Sequence, residues 1–366
     1  MSPYRSNSLR TSGIVLAGTF PWANSAFDRL SPRPLVPIAQ RPLITFSLSW
    51  LHAAGVQSAV VCGNRSVRAL QARVAGEFSV EIDVSYVEDR MPRGAAGCIR
   101  DAAQTQHSQT LVVTDGASIP TVDLHALLTA HDESGAAITV VVHHESRGAG
   151  LPPLKVPAGI YVIDRRALDT VAPHGFVDLK EHLIPSLARA GERIATFAAH
   201  EPAPRVLNAE TYLAANEFAT RMLMARGERP DGYDLHGEAL IHRNATLAAD
   251  VIIAGPVMVA EGATVADGAV LVGPTSIGRD VTVGARAVVS RSAVWRRSHI
   301  LSGATVDRSI VADDGLVARD QRVYRAIVSG QSGTFSGRVK RGAEHVMARV
   351  SHDLGTAARH LHLREW

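Results

Sequence analysis

Residues 241–301 read IHRNATLAADVIIAGPVMVAEGATVADGAVLVGPTSIGRDVTVGARAVVSRSAVWRRSHIL, and this stretch decides the fold of the C-terminal half of the chain. A large apolar residue returns every six positions, through Ile241, Leu247, Ile253, Val259, Val265, Leu271, Ile277, Val283, Val289, Trp295 and Leu301. A small or β-branched residue stands two positions before almost every one of them. A period of six fits neither a helix nor a simple alternating strand, and it indicates a solenoid with flat faces.

One hexad predicts one face, and three faces close a triangular coil of about 18 residues with the large apolar residue inside. Successive coils would stack through parallel strands about 4.8 Å apart. The alternative is a β-sandwich in which the spacing arises by chance. The pattern resembles the left-handed parallel β-helix of hexapeptide-repeat proteins, over residues 236–325.

This solenoid is expected to bury the apolar column, including Ile277. The adjacent Val294 and Trp295 are expected to form an apolar patch on an outer face. Exposed apolar patches favour association, so we expect an oligomer.

Composition limits the remaining possibilities. The chain has 366 residues, 46% of them hydrophobic, which suffices for two domains with their own cores. Acidic and basic residues are interleaved and the formal net charge is only +3, so we expect no nucleic-acid partner. No apolar run reaches the length of a membrane span, and the start of the chain does not resemble a secretory segment, so we expect a cytoplasmic protein without membrane contact. Cys62 and Cys98 lack metal-ligand spacing and are expected to be reduced structural thiols.

The N-terminal half alternates apolar residues at strand and helix periods, which predicts a βαβ arrangement. Short motifs punctuate it: Leu16-Ala17-Gly18, Pro32-Arg33-Pro34-Leu35, Gly94-Ala95-Ala96-Gly97, Ala158-Gly159-Ile160-Tyr161 and Tyr212-Leu213-Ala214-Ala215-Asn216. In this order they resemble the sugar-phosphate nucleotidyltransferases, most closely the mannose-1-phosphate guanylyltransferase-like group. The resemblance implies an α/β fold with a Rossmann-like, GT-A-like nucleotidyltransferase domain followed by a left-handed β-helix. We place the nucleotidyltransferase-like domain at 1–225, the β-helix at 236–328, and a linker with an amphipathic helix at 329–366.

The resemblance also implies where ligands would bind. The implied nucleotide-binding residues are Leu16, Ala17, Gly18, Arg33, Gly94, Ala95, Ala96 and Gly97. Asp115 and Gly159 are the implied sugar-binding residues. Arg33 stands where the family has a lysine, and at that position a surface charge is an equally good interpretation.

The chain departs from the family where the chemistry requires particular groups. The family's phosphate-binding loop is rich in glycine and contains an arginine, whereas this chain has Pro21, Trp22 and Ala23 there. The two aspartates that hold the family's metal ion correspond to Ala117 and Arg205. We therefore expect no confident catalytic residue and no certain cofactor. Mg²⁺ would bind only if the protein were active, and Asp115 would then be its ligand.

Losing the loop and both metal ligands should abolish turnover, because one lost transition-state donor alone costs about 10²–10³ in rate. We expect a catalytically silent subunit that binds a nucleotide sugar of the GDP-mannose type, or that acts as a regulator or scaffold. It would form a homo-oligomer, or a hetero-oligomer with an active paralogue. The first alternative is an active sugar-1-phosphate nucleotidyltransferase with an atypical site. The second is acyl transfer through His299 in the solenoid, but no long loop interrupts the hexads there.

Overall fold

The computed structural model describes residues 11–18, 25–64, 67–77, 81–89, 91, 93–145, 154–200, 203–227 and 229–330. The loop positions 21–23 and the predicted C-terminal helix lie outside the described residues. The described chain divides into two compact units. The first contains residues 11–18, 31–36 and 41–207, and the second contains residues 25–30, 37–40 and 208–330. Within the described part of the chain, no helix combines the length and apolarity needed to cross a membrane.

The first part of the chain alternates strands and helices. In chain order these are β1 (Thr11–Leu16), β2 (Pro37–Ile38), β3 (Arg41–Pro42), α1 (Ile44–Ala53), β4 (Ser58–Gly63), α2 (Val67–Glu77), β5 (Asp83–Glu88), α3 (Gly94–Ala103), β6 (Thr110–Asp115), α4 (Leu124–Ser134), β7 (Ile138–Glu145), β8 (Leu154–Asp164), α5 (Ile184–Arg189), β9 (Ile194–Ala198) and α6 (Ala209–Ala225). Short 3₁₀ turns cover Arg33–Leu35 and Arg165–Thr170, and a π-helical turn covers Leu179–Leu183.

The first unit is built on a seven-stranded sheet in the order β5-β4-β1-β6-β8-β7-β9. Strands β5, β4, β1 and β6 are parallel, and β8 runs antiparallel to both of its neighbours. Ile14 and Val15 point to opposite faces of β1, and both are fully buried in separate apolar clusters. Strands buried on both faces are continuously apolar, as the sequence is here. The predicted α/β fold class is confirmed.

The second unit contains the solenoid. Its strands are β10 (Tyr233–His236), β11 (Ala239–His242), β12 (Thr246–Leu247), β13 (Ile252–Ala254), β14 (Val257–Val259), β15 (Thr264–Val265), β16 (Val270–Val272), β17 (Thr275–Ile277), β18 (Thr282–Val283), β19 (Val288–Ser290), β20 (Ala293–Val294), β21 (His299–Ile300), β22 (Thr305–Asp307), β23 (Ile310–Val311), β24 (Leu316–Val317), β25 (Arg322–Tyr324) and β26 (Ile327–Val328).

These short strands form three sheets, and each strand from β11 to β23 pairs in parallel with the strand three positions later. The arrangement is the parallel β-helix that the hexads predict, consistent with the left-handed form. Val265, Ile277 and Val289 are buried in its core, and Ile253 packs against that core at the first coils. The inward-facing apolar column is therefore confirmed up to Val289.

The column changes register after Val289, which corrects the predicted run of eleven hexads. Ile277 pairs with Val294 rather than Trp295, and Val283 pairs with Ile300 rather than Leu301. The shorter step lies at the corner around Arg291, whose φ is 47°: the inward residues Val289 and Val294 are five positions apart instead of six. The Arg291 Nε and Nη2 atoms donate to Asp307 Oδ1 at 3.1 and 3.0 Å, which joins this corner to the next coil.

The expected apolar surface patch at Val294 and Trp295 is wrong, because these residues are only 1% and 4% exposed. Trp295 Nε1 donates a hydrogen bond to Tyr212 Oη on α6 at 2.7 Å, and Tyr212 Oη donates to the Pro37 carbonyl at 2.7 Å. A buried Trp or Tyr side chain packs its ring against apolar groups and needs a hydrogen-bond partner for its polar atom. Trp295 and Tyr212 satisfy this requirement for each other, because their rings pack together and their polar atoms form the hydrogen bond. Oligomer formation stays a prediction, and an exposed apolar patch at Val294 and Trp295 no longer supports it.

Helix α6 belongs to the second unit by its contacts. Asn216 on this helix donates through Nδ2 to Ser276 Oγ on β17 at 3.2 Å, in addition to the contact between Tyr212 and Trp295. The predicted limits at 1–225, 236–328 and 329–366 stay predictions. The described contacts group the chain differently, since they join residues 25–30 and 37–40 and the residues from Asn208 onward to the unit that contains the β-helix.

Candidate functional site

The candidate site lies at the carboxyl ends of the parallel strands of the first unit, where ligands bind in open α/β sheets. Leu16 at the end of β1 pairs with Asp115 at the end of β6, and the Gly116 amide donates to the Leu16 carbonyl at 2.9 Å. The Ala17 amide donates to the Cys62 carbonyl at 2.7 Å, so it is engaged within the protein. The structure thus brings the predicted residues Leu16 and Asp115 together.

Asp115 has both carboxylate oxygens occupied by donors from the protein. Oδ1 accepts from the Ala117 amide at 2.9 Å. Oδ2 accepts a hydrogen bond from Arg205 Nε at 2.9 Å, and Arg205 Nη2 lies 2.7 Å from the same oxygen in an ion pair. A charge-assisted hydrogen bond of this kind is stronger than one between neutral groups. The ion pair therefore joins the strand-end carboxylate to Arg205, the residue that the resemblance predicts at the family's second metal-ligand position.

The backbone holds Arg205 in this position. Arg205 forms an antiparallel bridge with Ser118, just beyond β6. On either side, the Ile119 amide donates to the Pro204 carbonyl at 2.9 Å and the Val206 amide donates to the Ala117 carbonyl at 2.8 Å. The side chain is 51% exposed and that of Asp115 is 20% exposed, so the pair lies at the rim of the site.

Two residues of β8 complete this part of the site. Gly159 has a φ of +79°, and a Cβ atom there would lie 3.5 Å from Asp115 Cβ, so glycine keeps the space beside the carboxylate open. Burial raises the pKa of Tyr161 to about 12, with Arg205 lowering it and Asp178 and Asp115 raising it. The phenol is therefore a neutral hydroxyl at physiological pH. The sequence predicts a site role for Gly159 but not for Tyr161, although both residues belong to one motif.

A divalent metal ion does not fit this site. The oxygens of Asp115 already accept from nitrogen donors, Ala117 offers a methyl group, and Arg205 brings a positive charge. Mg²⁺ requires oxygen ligands in a near-octahedral arrangement. Nowhere in the described residues do three or more His, Cys, Asp or Glu side chains form a group that could hold a metal ion.

The predicted nucleotide residues at the start of α3 have packing contacts. The amides of Ala96 and Gly97 donate to the Val177 carbonyl at 3.0 and 3.3 Å. Gly94 has a φ of +71°, and a Cβ atom there would lie 2.5 Å from that same carbonyl oxygen. Close approach of the two backbones thus explains the glycine. Contact of Gly94 to Gly97 with a base stays a prediction, as do the roles of Gly18 and of Arg33, which begins a 3₁₀ turn.

A cavity of about 180 Å³ opens beside α3 and the ends of β4 and β5. Its lining consists of Cys62, Val87, Glu88, Asp89, Met91, Arg93, Cys98 and Asp101. Arg93 donates through Nε to Asp101 at 3.0 Å and through Nη1 to the Gly175 carbonyl at 2.6 Å. These bonds connect the start of α3 to the segment that follows β8. The sequence motifs did not indicate this cavity, because its polar groups come from three separate elements.

Both thiols in the cavity are expected to react slowly with alkylating agents. Burial, together with the negative charges of Asp89 and Asp101, raises the pKa of Cys62 to about 12. Burial and the Sγ–Oδ2 hydrogen bond to Asp89 at 3.1 Å raise the pKa of Cys98 as well. Because a raised pKa leaves little thiolate below it, iodoacetamide at mildly alkaline pH should modify the native protein more than about 100-fold more slowly than a free cysteine with a pKa of about 8.5. Mass spectrometry measures the rates, with the protein in concentrated urea as the fast control. Rapid modification of the native protein would contradict the assigned environment.

Two family models match the chain. The Nucleotidyl transferase model matches residues 27–149, and the model described as GMPPB C-terminal domain matches residues 252–343. The mannose-1-phosphate guanylyltransferase of Mycobacterium tuberculosis is 23% identical over 183 residues, which are 44% of this chain and 51% of the relative. The mannose-1-phosphate guanyltransferase of Schizosaccharomyces pombe is 23% identical over 200 residues, 48% of this chain and 55% of the relative. The chain thus spans about half the length of the curated relatives it matches.

A solved structure shows the same fold. The crystal structure of HddC from Yersinia pseudotuberculosis, complexed with GMP-PN, superposes with a TM-score of 0.50 at 15% sequence identity. The match covers 57% of this chain and 99% of that chain. At this identity the likeness establishes the fold of the nucleotidyltransferase part and nothing beyond it.

Proposed function

We propose that this chain is a member of the sugar-phosphate nucleotidyltransferase family and that it binds a nucleotide sugar of the GDP-mannose type without catalysing its synthesis. In the cell it would act as a regulatory or scaffolding subunit. The predicted compartment is the cytoplasm. The partners would be further copies of the chain or an active paralogue.

One observation carries the proposal: the ion pair between Asp115 and Arg205. Nucleotidyl transfer moves negative charge between phosphates, and it is accelerated by cations and amides placed where that charge develops. Asp115 is the carboxylate at the end of β6, and it is engaged by the guanidinium of Arg205 through one hydrogen bond from Nε and an ion pair with Nη2. The Asp115 carboxylate is therefore bound to Arg205 and is not available to hold a metal ion for the reaction.

Binding has different requirements from turnover. The parallel strands still meet at one edge, and Gly159 keeps the space beside Asp115 free of a side chain. The neutral hydroxyl of Tyr161 can donate a hydrogen bond, and charged and polar groups line the neighbouring cavity. Such groups can orient a sugar or a base without activating a bond. The relatives named as mannose-1-phosphate guanylyltransferases suggest the class of ligand.

A thermal-shift panel tests the proposal. GDP-mannose, UDP-glucose and ADP-glucose are compared with mannose and with buffer, each over a range of concentrations. A ligand that binds only the native state stabilises it by about 2.7 kcal/mol at a hundred times its dissociation constant, so the melting temperature should rise with GDP-mannose concentration. If no sugar nucleotide raises the melting temperature at millimolar concentration, the binding function is wrong.

A further inference from the structure

We infer that the guanidinium of Arg205 takes the place of a metal ion, bridging Asp115 to a phosphate group of the bound nucleotide sugar. The inference rests on the proposed function for the identity of the ligand. It adds the group that recognises the diphosphate, and it states that binding requires no divalent cation.

One edge of the Arg205 guanidinium faces Asp115, and the other edge does not. Nε donates to Asp115 Oδ2, and Nη2 lies 2.7 Å from the same oxygen. Within the described part of the chain, the other N–H groups of Arg205 form no hydrogen bond to another residue, and the side chain is 51% exposed. A planar guanidinium that is held by a carboxylate on one edge can still bind phosphate along its other edge.

The charge of the site also permits this substitution. Two carboxylates and one divalent cation cancel formally, and so do one carboxylate and one guanidinium. In this chain Asp115 and Arg205 beside the neutral Ala117 therefore cancel formally without a metal ion. An anionic diphosphate would meet a cationic edge without the repulsion of an uncompensated carboxylate.

The position of Arg205 is fixed before any ligand arrives. The bridge to Ser118 and the flanking bonds of Pro204 and Val206 hold its backbone, and Asp115 holds its side chain. Asp115 is itself held by the Ala117 amide. A preorganised donor loses less conformational entropy on binding than a free surface arginine does. This distinguishes Arg205 from Arg189 on α5, which is exposed and donates to the Pro185 carbonyl of its own helix.

Isothermal titration with GDP-mannose tests the bridge in the presence of EDTA and in the presence of Mg²⁺. The unaltered chain should bind with the same affinity in both buffers. Arg205→Met should weaken GDP-mannose at least about tenfold, and Arg205→Lys should recover part of the loss, because charge remains but the planar edge does not. Arg189→Met is the matched control and should bind as the unaltered chain does. Binding that requires Mg²⁺, or an Arg205→Met variant of full affinity, would overturn the inference while leaving the proposed function intact.

A second arm needs no nucleotide sugar. Mn²⁺ alone is titrated into the unaltered chain and into the double variant Ala117→Asp/Arg205→Asp, and binding is followed by electron paramagnetic resonance. The unaltered chain should leave the Mn²⁺ signal free, and the double variant should reduce it by binding the ion between its carboxylates. Circular dichroism confirms that the variant is folded, and Arg205→Asp alone serves if it is not. Stoichiometric Mn²⁺ binding by the unaltered chain would contradict the inference even if no nucleotide sugar bound at all.

Discussion

The Ile277→Asp variant is expected to lose about 3–5 kcal/mol of unfolding free energy, the scale of a charge buried without a partner. Ile277 is fully buried on β17, with Val259 and Val294 as its neighbours in the adjacent coils. An aspartate there would either remain charged in an apolar interior or bind a proton, and both outcomes cost free energy. Urea denaturation followed by circular dichroism measures the change.

Ile252→Asp supplies the matched control, since it makes the same chemical change on the same solenoid. Ile252 is 48% exposed on β13, so its replacement should cost no more than about 1 kcal/mol. If Ile277→Asp proves as mild as Ile252→Asp, the inward-facing column is assigned to the wrong side of the strands.

The second large effect concerns activity. With Mg²⁺, GTP and mannose 1-phosphate, the purified chain should release no pyrophosphate above the rate without protein. Removing one transition-state donor costs about 10²–10³ in rate. By the resemblance, Ala117 and Arg205 stand at the family's two metal-ligand positions, and neither side chain is a carboxylate. Even if these losses do not add, they act on the same transition state and should remove useful turnover.

A coupled pyrophosphate assay measures this rate, with the mannose-1-phosphate guanylyltransferase of Mycobacterium tuberculosis as the positive control. Mg²⁺-dependent release that disappears in Asp115→Ala would favour the alternative of an active enzyme with an atypical site. In that case Asp115 would have exchanged its guanidinium partner for the metal ion.

The sequence predicts the β-helix well because each hexad repeats one local requirement, an apolar residue inside every face. It fails at Val294 and Trp295 for a physical reason. Both residues are apolar, so the period of six and the shorter spacing satisfy the pattern equally. The contacts that accompany the shorter spacing involve residues distant in sequence. Trp295 donates a hydrogen bond to Tyr212, and Arg291 donates one to Asp307. Neither partner is visible in the local spacing.

The candidate site shows the same division between local and distant information. Counting along the motifs places Arg205 at a metal-ligand position, because the motif spacing is local. Its ion pair with Asp115 joins segments 90 residues apart, and only the fold reveals it. Likewise, the glycines of Gly94 to Gly97 are predicted from the motif, whereas their contact with Val177 depends on a segment that follows β8.

The central claim is that this fold retains a nucleotide-sugar site and has lost the reaction. The most direct test saturates the purified chain with GDP-mannose, adds pyrophosphate and Mg²⁺, and separates the nucleotides by anion-exchange chromatography after prolonged incubation. Our account predicts that GDP-mannose binds and is recovered unchanged. The appearance of GTP and mannose 1-phosphate, in amounts that grow with protein concentration, would contradict it.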